Sequence, residues 1–288
     1  MVGFAGRCMS ATRIAVLSGK GGAGKTTVAV RLAQAASSSQ RIWLLDADAE
    51  EPNGALLLRP VLADPQPILS DVAVIDPDLC TGCVECVERC AFQALTLVAR
   101  KARVSESLCH GCGLCVRLCT HHAIRMQPRR IGSMVRGKST EGIAFLEGRL
   151  DVGQPRATEV IKASLDALLE HEDAVIDGPP GCACSPMLVA RRASRCLLVA
   201  QPTPMGVHDL ELAIEMLGRL SIPTGIVINR SVPRGDALVE RLASSKGLPV
   251  LERIPEDDRI SDASLSLDRT GHRELFHALW RDLKGMEA

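Results

Sequence analysis

At 288 residues, with 34 basic and 34 acidic side chains and 46% apolar content, the chain can bury about three quarters of its unfolded surface in one large domain or two smaller ones. Formal neutrality and only four Phe, two Trp and no Tyr argue against a dedicated nucleic-acid reader, and the apolar content excludes a disordered tail protein. The outlier is cysteine: 12 residues fall below the density of a small disulfide scaffold, so spacing must decide between bridges, metal and catalysis. Residues 1–12 hold no apolar stretch of signal-peptide length, and no window approaches about 18 uncharged apolar residues. A soluble chain in a reducing cytoplasm is expected, with membrane association not expected and thiolates open to metals.

Residues 14–17 form a short apolar run entering a glycine-rich loop, and 28–36 then carries a helical pattern. Residues 42–45 repeat the buried-strand pattern and end in Asp46. The same pattern returns at 174–176 ending in Asp177, at 196–200, at 225–228 ending in Asn229, and at 248–251. Amphipathic stretches lie between, such as 158–171 with Val160, Ile161, Leu165, Leu168 and Leu169 at helical spacing. Short apolar strands alternating with helices predict an α/β fold with a parallel sheet covered on both faces.

The pattern breaks in the middle of the chain. Cys80, Cys83, Cys86 and Cys90 recur 29 residues later as Cys109, Cys112, Cys115 and Cys119, and Ala94-Leu95 recurs as Ala123-Ile124. This internal duplication predicts a small inserted domain over 70–128 within an α/β domain made of 11–69 and 129–288, after a tail over 1–10. The segment 131–152, rich in Gly and charge, is expected to lead the chain back to the main sheet.

The loop Gly19-Lys20-Gly21-Gly22-Ala23-Gly24-Lys25-Thr26, followed by Thr27, fits the Walker A pattern between a strand and a helix. Its glycines let backbone N–H groups turn inward on phosphate oxygens, Lys25 neutralises the terminal phosphates and the Thr26 hydroxyl can ligate Mg²⁺. ATP is the expected nucleotide. With Lys20 ahead of the motif, the run resembles the deviant Walker A of the MinD/ParA superfamily, which includes the Mrp-type iron–sulfur carriers and the nitrogenase iron protein. The resemblance implies that Lys20 reaches across a nucleotide-dependent homodimer to the partner's nucleotide. It extends to Leu44-Leu45-Asp46-Ala47-Asp48, implying Asp46 near Mg²⁺ and Asp48 as the group that orients or deprotonates the attacking water. It extends also to Val175-Ile176-Asp177-Gly178-Pro179-Pro180-Gly181, implying a Walker B Asp177 that holds Mg²⁺ through water, and to Asn229 as an adenine contact. Residues 201–209 resemble a nucleotide-side loop without an assignable role.

Each cysteine set is C-x₂-C-x₂-C-x₃-C, the spacing of bacterial two-cluster ferredoxins, in which the fourth cysteine of each run serves the other cluster. That resemblance implies one [4Fe-4S] cluster on Cys80, Cys83, Cys86 and Cys119 and a second on Cys109, Cys112, Cys115 and Cys90. Zinc or disulfides could use the same thiols, but zinc ribbons do not require this duplicated spacing. Ala91 and Thr120 stand where ferredoxins usually carry proline, and His121-His122 read as surface or neighbouring residues rather than ligands. Outside the insert, Cys8 and Cys196 read as inert, while Cys182 and Cys184 follow the Walker B segment, either as small packing residues or as a shared metal or relay site. The helix expected over 272–284 places Leu275, Phe276, Leu279, Trp280 and Leu283 on one face. Its mixed charges, with Glu287 just beyond, favour packing on the protein over lipid. The combination implies an ATP-switched protein transferring single electrons to a redox partner. The alternatives are a cluster scaffold or carrier serving an apo-protein acceptor, and a positioning ATPase with structural or sensory clusters.

Overall fold

The computed structural model describes residues 11–168, 172–262 and 264–286. The expected tail with Cys8, the end of the 158–171 helix at Leu169 and His171, and Glu287 lie outside the described residues. The chain forms two compact units. One comprises the described residues up to Pro65, Met134–Arg149 and those from Ile161 onward; the other comprises Gln66–Ser133 and Leu150–Val160.

The first unit begins with β1 (Arg13–Leu17), α1 (Lys25–Ser37), β2 (Trp43–Asp46), a short α2 (Gly54–Leu58) and the two-residue β3 (Val61–Leu62). The second unit contributes β4 (Gln66–Ile75), α3 (Glu85–Glu88), the β5 (Leu95–Val98) and β6 (Lys101–Val104) hairpin, α4 (Leu114–Leu118) and the first part of β7 (Ile124–Lys138). After β8 (Ala144–Leu150) and α5 (Ala157–Asp166), the chain alternates β9 (Ala174–Asp177), α6 (Cys184–Ala190), β10 (Arg195–Ala200), α7 (Pro204–Gly218), β11 (Thr224–Ser231), α8 (Pro233–Ser245) and β12 (Val250–Pro255). It closes with α9 (Asp258–Ser261) and α10 (Arg273–Gly285).

The main sheet runs β12-β11-β10-β1-β9-β2-β8, and the described pairings among these strands are parallel. β1 sits in the middle, so Ile14, Ala15, Val16 and Leu17 are covered on both faces and carry no polar alternation. On one side of the sheet the small side chains Ala29, Ala33 and Ala36 of α1 share a core with Phe276, Leu279, Trp280 and Leu283 of α10. The C-terminal helix therefore packs on its own unit, and the small residues of α1 leave space for the larger ones of α10. α7 starts at a built cap: the Thr203 hydroxyl accepts the Gly206 N–H at 3.1 Å, and Pro204 needs no amide partner in the first turn.

One expectation is corrected. The segment 131–152 is not a simple return linker, since it carries the end of β7 and the whole of β8, and β8 pairs in parallel with β2 from Trp43↔Ala144 to Asp46↔Glu147. The strand escaped a hydropathy reading because its apolar run stops after Leu146, where Glu147 and Gly148 interrupt it.

In the second unit the duplication is visible in the backbone. Gly82 and Gly111 have φ of 76° and 63°, Val84 and Gly113 have 61° and 72°, and Gln93 and His122 both have 51°. α3 and α4 begin 29 residues apart. The small core holds Val72, Ala73, Ala94, Cys109 and Ile124, with Cys86, Cys90, Cys115 and Cys119 packed against it. No aromatic residue belongs to this core as described.

Candidate functional site

Lys25 opens α1, and Gly24 precedes it with φ of 92°, a left-handed turn that aims the first amides of the helix into the loop. Three side chains brace this loop, Ser18 from just before it and Gln201 and Asn229 from segments far along the chain. Ser18 Oγ donates to the Lys20 carbonyl at 2.6 Å, Gln201 Nε2 donates to the Gly22 carbonyl at 3.1 Å, and Asn229 Nδ2 donates to the Ala23 carbonyl at 2.8 Å. Asn229 is buried within β11, and a Cβ on Gly24 would lie 2.2 Å from its amide nitrogen. Glycine at 24 is thus required twice, by backbone and by space. Gly21 and Gly22 face open space instead, where a Cβ would meet nothing within 4 Å. Lys20 forms an ion pair with Asp209 of α7 at 3.5 Å.

The strand ends bring acids together beside this loop. Asp46 pairs in register with Asp177 on one side and Glu147 on the other. Residues in register on neighbouring strands project to one face, so three buried carboxyl groups stand in a row. Asp46 is tied down, its two oxygens accepting the N–H groups of Asp48 at 3.1 Å and Gly54 at 2.7 Å. Burial first, and then the neighbouring Asp177, hold its pKa well above the ordinary carboxyl range. Glu147 bonds Arg149 through one oxygen at 3.1 Å and leaves the other without a hydrogen-bond partner among the described residues.

Asp177 differs from both. Neither of its oxygens has a hydrogen-bond partner within ordinary range among the described residues, although it is 1% exposed. Burial pushes its pKa up to about 7, against the pull of the nearby Thr26 hydroxyl and the Lys25 ammonium and with a push from Asp48. Asp48 is half-buried and its own pKa is raised, by burial foremost and against Lys25. Lys25, Thr26, Asp48 and Asp177 therefore share one electrostatic environment. A buried carboxylate without a donor, beside a hydroxyl, has the donor set of a hydrated divalent cation.

The profile of the CobQ/CobB/MinD/ParA nucleotide binding domain matches residues 14–269. The chain belongs to this family. An uncharacterised protein of Methanocaldococcus jannaschii is 31% identical over 224 residues, covering 76% of this chain and 78% of its own length. Among solved structures, the septum site-determining protein MinD of Pyrococcus horikoshii in complex with Mg-ADP superposes with a TM-score of 0.56 at 17% identity, covering 96% of each chain. A variant of McdA from Cyanothece in complex with ATP gives a TM-score of 0.56 at 18% identity, covering 96% of this chain and 98% of that one. At such identities the likeness is one of fold, and the parallel sheet with its phosphate loop is that of a MinD-type P-loop NTPase.

This MinD/ParA chain carries its eight-cysteine unit between the Asp48 segment and β9. Two hollows lie within that unit, one lined by Cys80, Cys83, Cys86 and Cys119, the other by Cys86, Cys90, Cys109, Cys112 and Cys115. Cys119 thus faces the void of the first run and Cys90 that of the second, with Cys86 bordering both. Backbone amides point at the sulfurs: Ala102 N–H to Cys80 at 3.5 Å, Ala123 N–H to Cys119 at 3.3 Å and Ala73 N–H to Cys109 at 3.5 Å. Among the described residues no three acidic, His or Cys side chains converge on one metal ion. Thiolates around a single tetrahedral zinc would stand only about 3.8 Å apart. In a cubane cluster each cysteine meets a different iron, and the sulfurs surround a void instead.

Cys182 is half-buried, its pKa raised by burial and by Asp209, and Cys184 is exposed at the start of α6. Cys196 is buried in β10 with its pKa raised to about 12, an inert packing thiol. Glu147, Gln201 and Asp209 were not individually legible as site residues. Gln201 and Asp209 bound the segment 201–209, whose resemblance to a nucleotide-side loop carried no individual roles, and Glu147 lies in a segment without a motif, so only strand register or loop return brings each to the site.

Proposed function

We propose that this MinD/ParA protein is an Mg²⁺-dependent ATPase that couples a nucleotide-driven homodimer to one-electron transfer through two [4Fe-4S] clusters. The observation that supports it most directly is the sorting of the cysteine quartets onto separate voids in a chain that also presents an unpartnered Asp177 beside Lys25 and Thr26. Gly19–Thr27 would cradle the phosphates through backbone N–H groups and Lys25. Thr26 and Asp177 would hold Mg²⁺, while Asp46 fastens the 46–54 segment through Asp48 and Gly54. Asp48 is then the group that orients the attacking water, a role suited to phosphoryl transfer, where positioning does most of the work. Lys20 must leave Asp209 to reach a partner's nucleotide, and Asn229, bonded to the loop through its amide nitrogen, keeps its oxygen for an adenine. The clusters, when bound, supply reversible one-electron chemistry.

Anaerobic purification followed by iron and sulfide analysis and spectroscopy of the reduced protein, with and without Mg-ATP, tests the reading. About eight irons per chain are expected, with a potential, partner affinity or electron-transfer rate that changes with nucleotide. Indifference of all three to ATP would sink the coupling. The exposure of Cys83 and Cys112 favours a second reading, a cluster carrier. Transfer of labile iron–sulfur to an apo-protein would select it, and retention through repeated redox cycles would reject it.

A further inference from the structure

We infer that the two cysteine quartets are unequal, the first (Cys80, Cys83, Cys86, Cys119) having the higher redox potential, and that the ring pair Phe92–His110 sets much of the difference. The inference rests on the iron–sulfur reading and adds an order to it. The duplication provides an internal control, because positions 29 apart occupy equivalent places. Position 81 matches 110, and 92 matches 121. Thr81 and His121 line the first void, and His110 and Phe92 line the second. The Phe92 and His110 rings stack at 4.0 Å between centroids and 20° between planes; no such stack pairs Thr81 with His121.

Other features point the same way. Cys109 of the second quartet is buried, whereas its counterpart Cys80 is half-buried. Described amides reach three sulfurs of the first quartet, Cys80, Cys86 and Cys119, and two of the second, Cys109 and Cys115. Lys101 also lies against the first quartet, its ammonium donating to the Cys80 carbonyl at 2.6 Å. Two features oppose. Val84 lines the first void where Gly113 stands at the second, and Arg89 lines the second. Arg89 is exposed, so water screens its charge; Phe92 and His110 are exposed as well, yet two stacked rings lining the void cover more of it than the one isopropyl group of half-buried Val84. A four-thiolate cluster gains negative charge on reduction. Apolar cover disfavours that charge, while N–H groups and a nearby ammonium favour it.

An anaerobic redox titration of the full chain, followed by electron paramagnetic resonance, reads the order. The wild type should reduce in two steps, the first electron preferring one cluster at least tenfold, equivalent to about 59 mV for a one-electron couple. The double variant F92H/H110T gives the second quartet the residues of the first and should raise the lower potential, leaving the higher in place. The double variant T81H/H121F, at exposed sites, builds the ring pair over the first quartet and should lower the higher potential alone. Coincident wild-type potentials, or exchanges that leave both steps unmoved, overturn the inference while the iron–sulfur reading stands. Protein that binds no iron–sulfur at all overturns both.

Discussion

Asp177 is an acid that the folded, ligand-free protein strains to keep ionised. Its pKa near 7 in the fold lies above the ordinary 3.8, so between these values the folded state binds more protons than the unfolded one. Stability of nucleotide-free, Mg²⁺-free protein should therefore fall as pH rises from about 4 to about 7, by up to about 4 kcal/mol from this group. Chemical denaturation at about pH 5 and about pH 8 measures the slope. Asp177→Asn should reduce the slope, leaving a part of the same sign from the raised Asp46 and Asp48, and stabilise the apo protein at the higher pH while abolishing Mg-ATP hydrolysis; an unchanged slope would show that the Asp177 carboxylate is not buried. Asn229→Ala tests the loop brace. It strips the Ala23 carbonyl of its buried partner, so a loss of about 1–3 kcal/mol is expected in thermal or denaturant unfolding, together with weaker nucleotide binding by calorimetry. Asp46 and Asp177 were legible because each ends an apolar run. Glu147 also ends an apolar run, residues 143–146, but the glycine-rich and charged residues on either side of that run hid it, and only pairing with Asp46 reveals it.

At the scale of elements, the repeat makes opposite predictions for neighbouring positions. A Cβ at Gly82 would lie 2.2 Å from the Arg100 carbonyl, and one at Gly111 2.5 Å from the Asp71 carbonyl, both at positive φ. Gly82→Ala and Gly111→Ala should each cost at least about 1–3 kcal/mol through backbone strain alone. Each should also lower the iron retained after anaerobic gel filtration. Val84 is a β-branched residue at φ 61°, where its counterpart is Gly113. Val84→Gly relieves a strain of about 1–2 kcal/mol, offset in part by the greater freedom of the unfolded glycine, so it should be tolerated where Gly82→Ala is not. Protease resistance of the three variants ranks them; equal behaviour would remove the strain argument. The strands β1, β9, β10 and β11 were legible as uninterrupted apolar runs because both of their faces are covered. β7 and β8 were not, because their polar and glycine positions break the run that betrays a buried strand. Segment 150–160, read by order as part of the main domain, groups with the cysteine unit, where Arg156 bonds the Ser70 hydroxyl at 2.9 Å and the Glu106 carbonyl at 2.8 Å. Such long-range bonds leave no local pattern to read.

For the whole molecule, the proposed function has Lys20 leave its ion pair with Asp209 when nucleotide drives self-association. Mg-ATP should double the mass of the wild type in light scattering, and Lys20→Ala should bind nucleotide yet stay single; a dimer formed by Lys20→Ala would remove its role across the interface. The sheet order carries a further consequence, for the timing of folding. β1 hydrogen-bonds to β9 and β10, and β2 to β8 and β9, but β1 and β2 do not pair with each other. As the chain leaves the ribosome, its first two strands have no partner until residues beyond 144 have been made, and the centre of the sheet waits for Ala174–Asp177. The cysteine unit, apart from 150–160, is contiguous from Gln66 to Ser133 and makes its hairpin between adjacent segments. Contacts so close in sequence form before the distant parallel pairings can. The insert can therefore fold ahead of the main sheet, whose nucleotide site waits for Asp177 of β9 and Asn229 of β11.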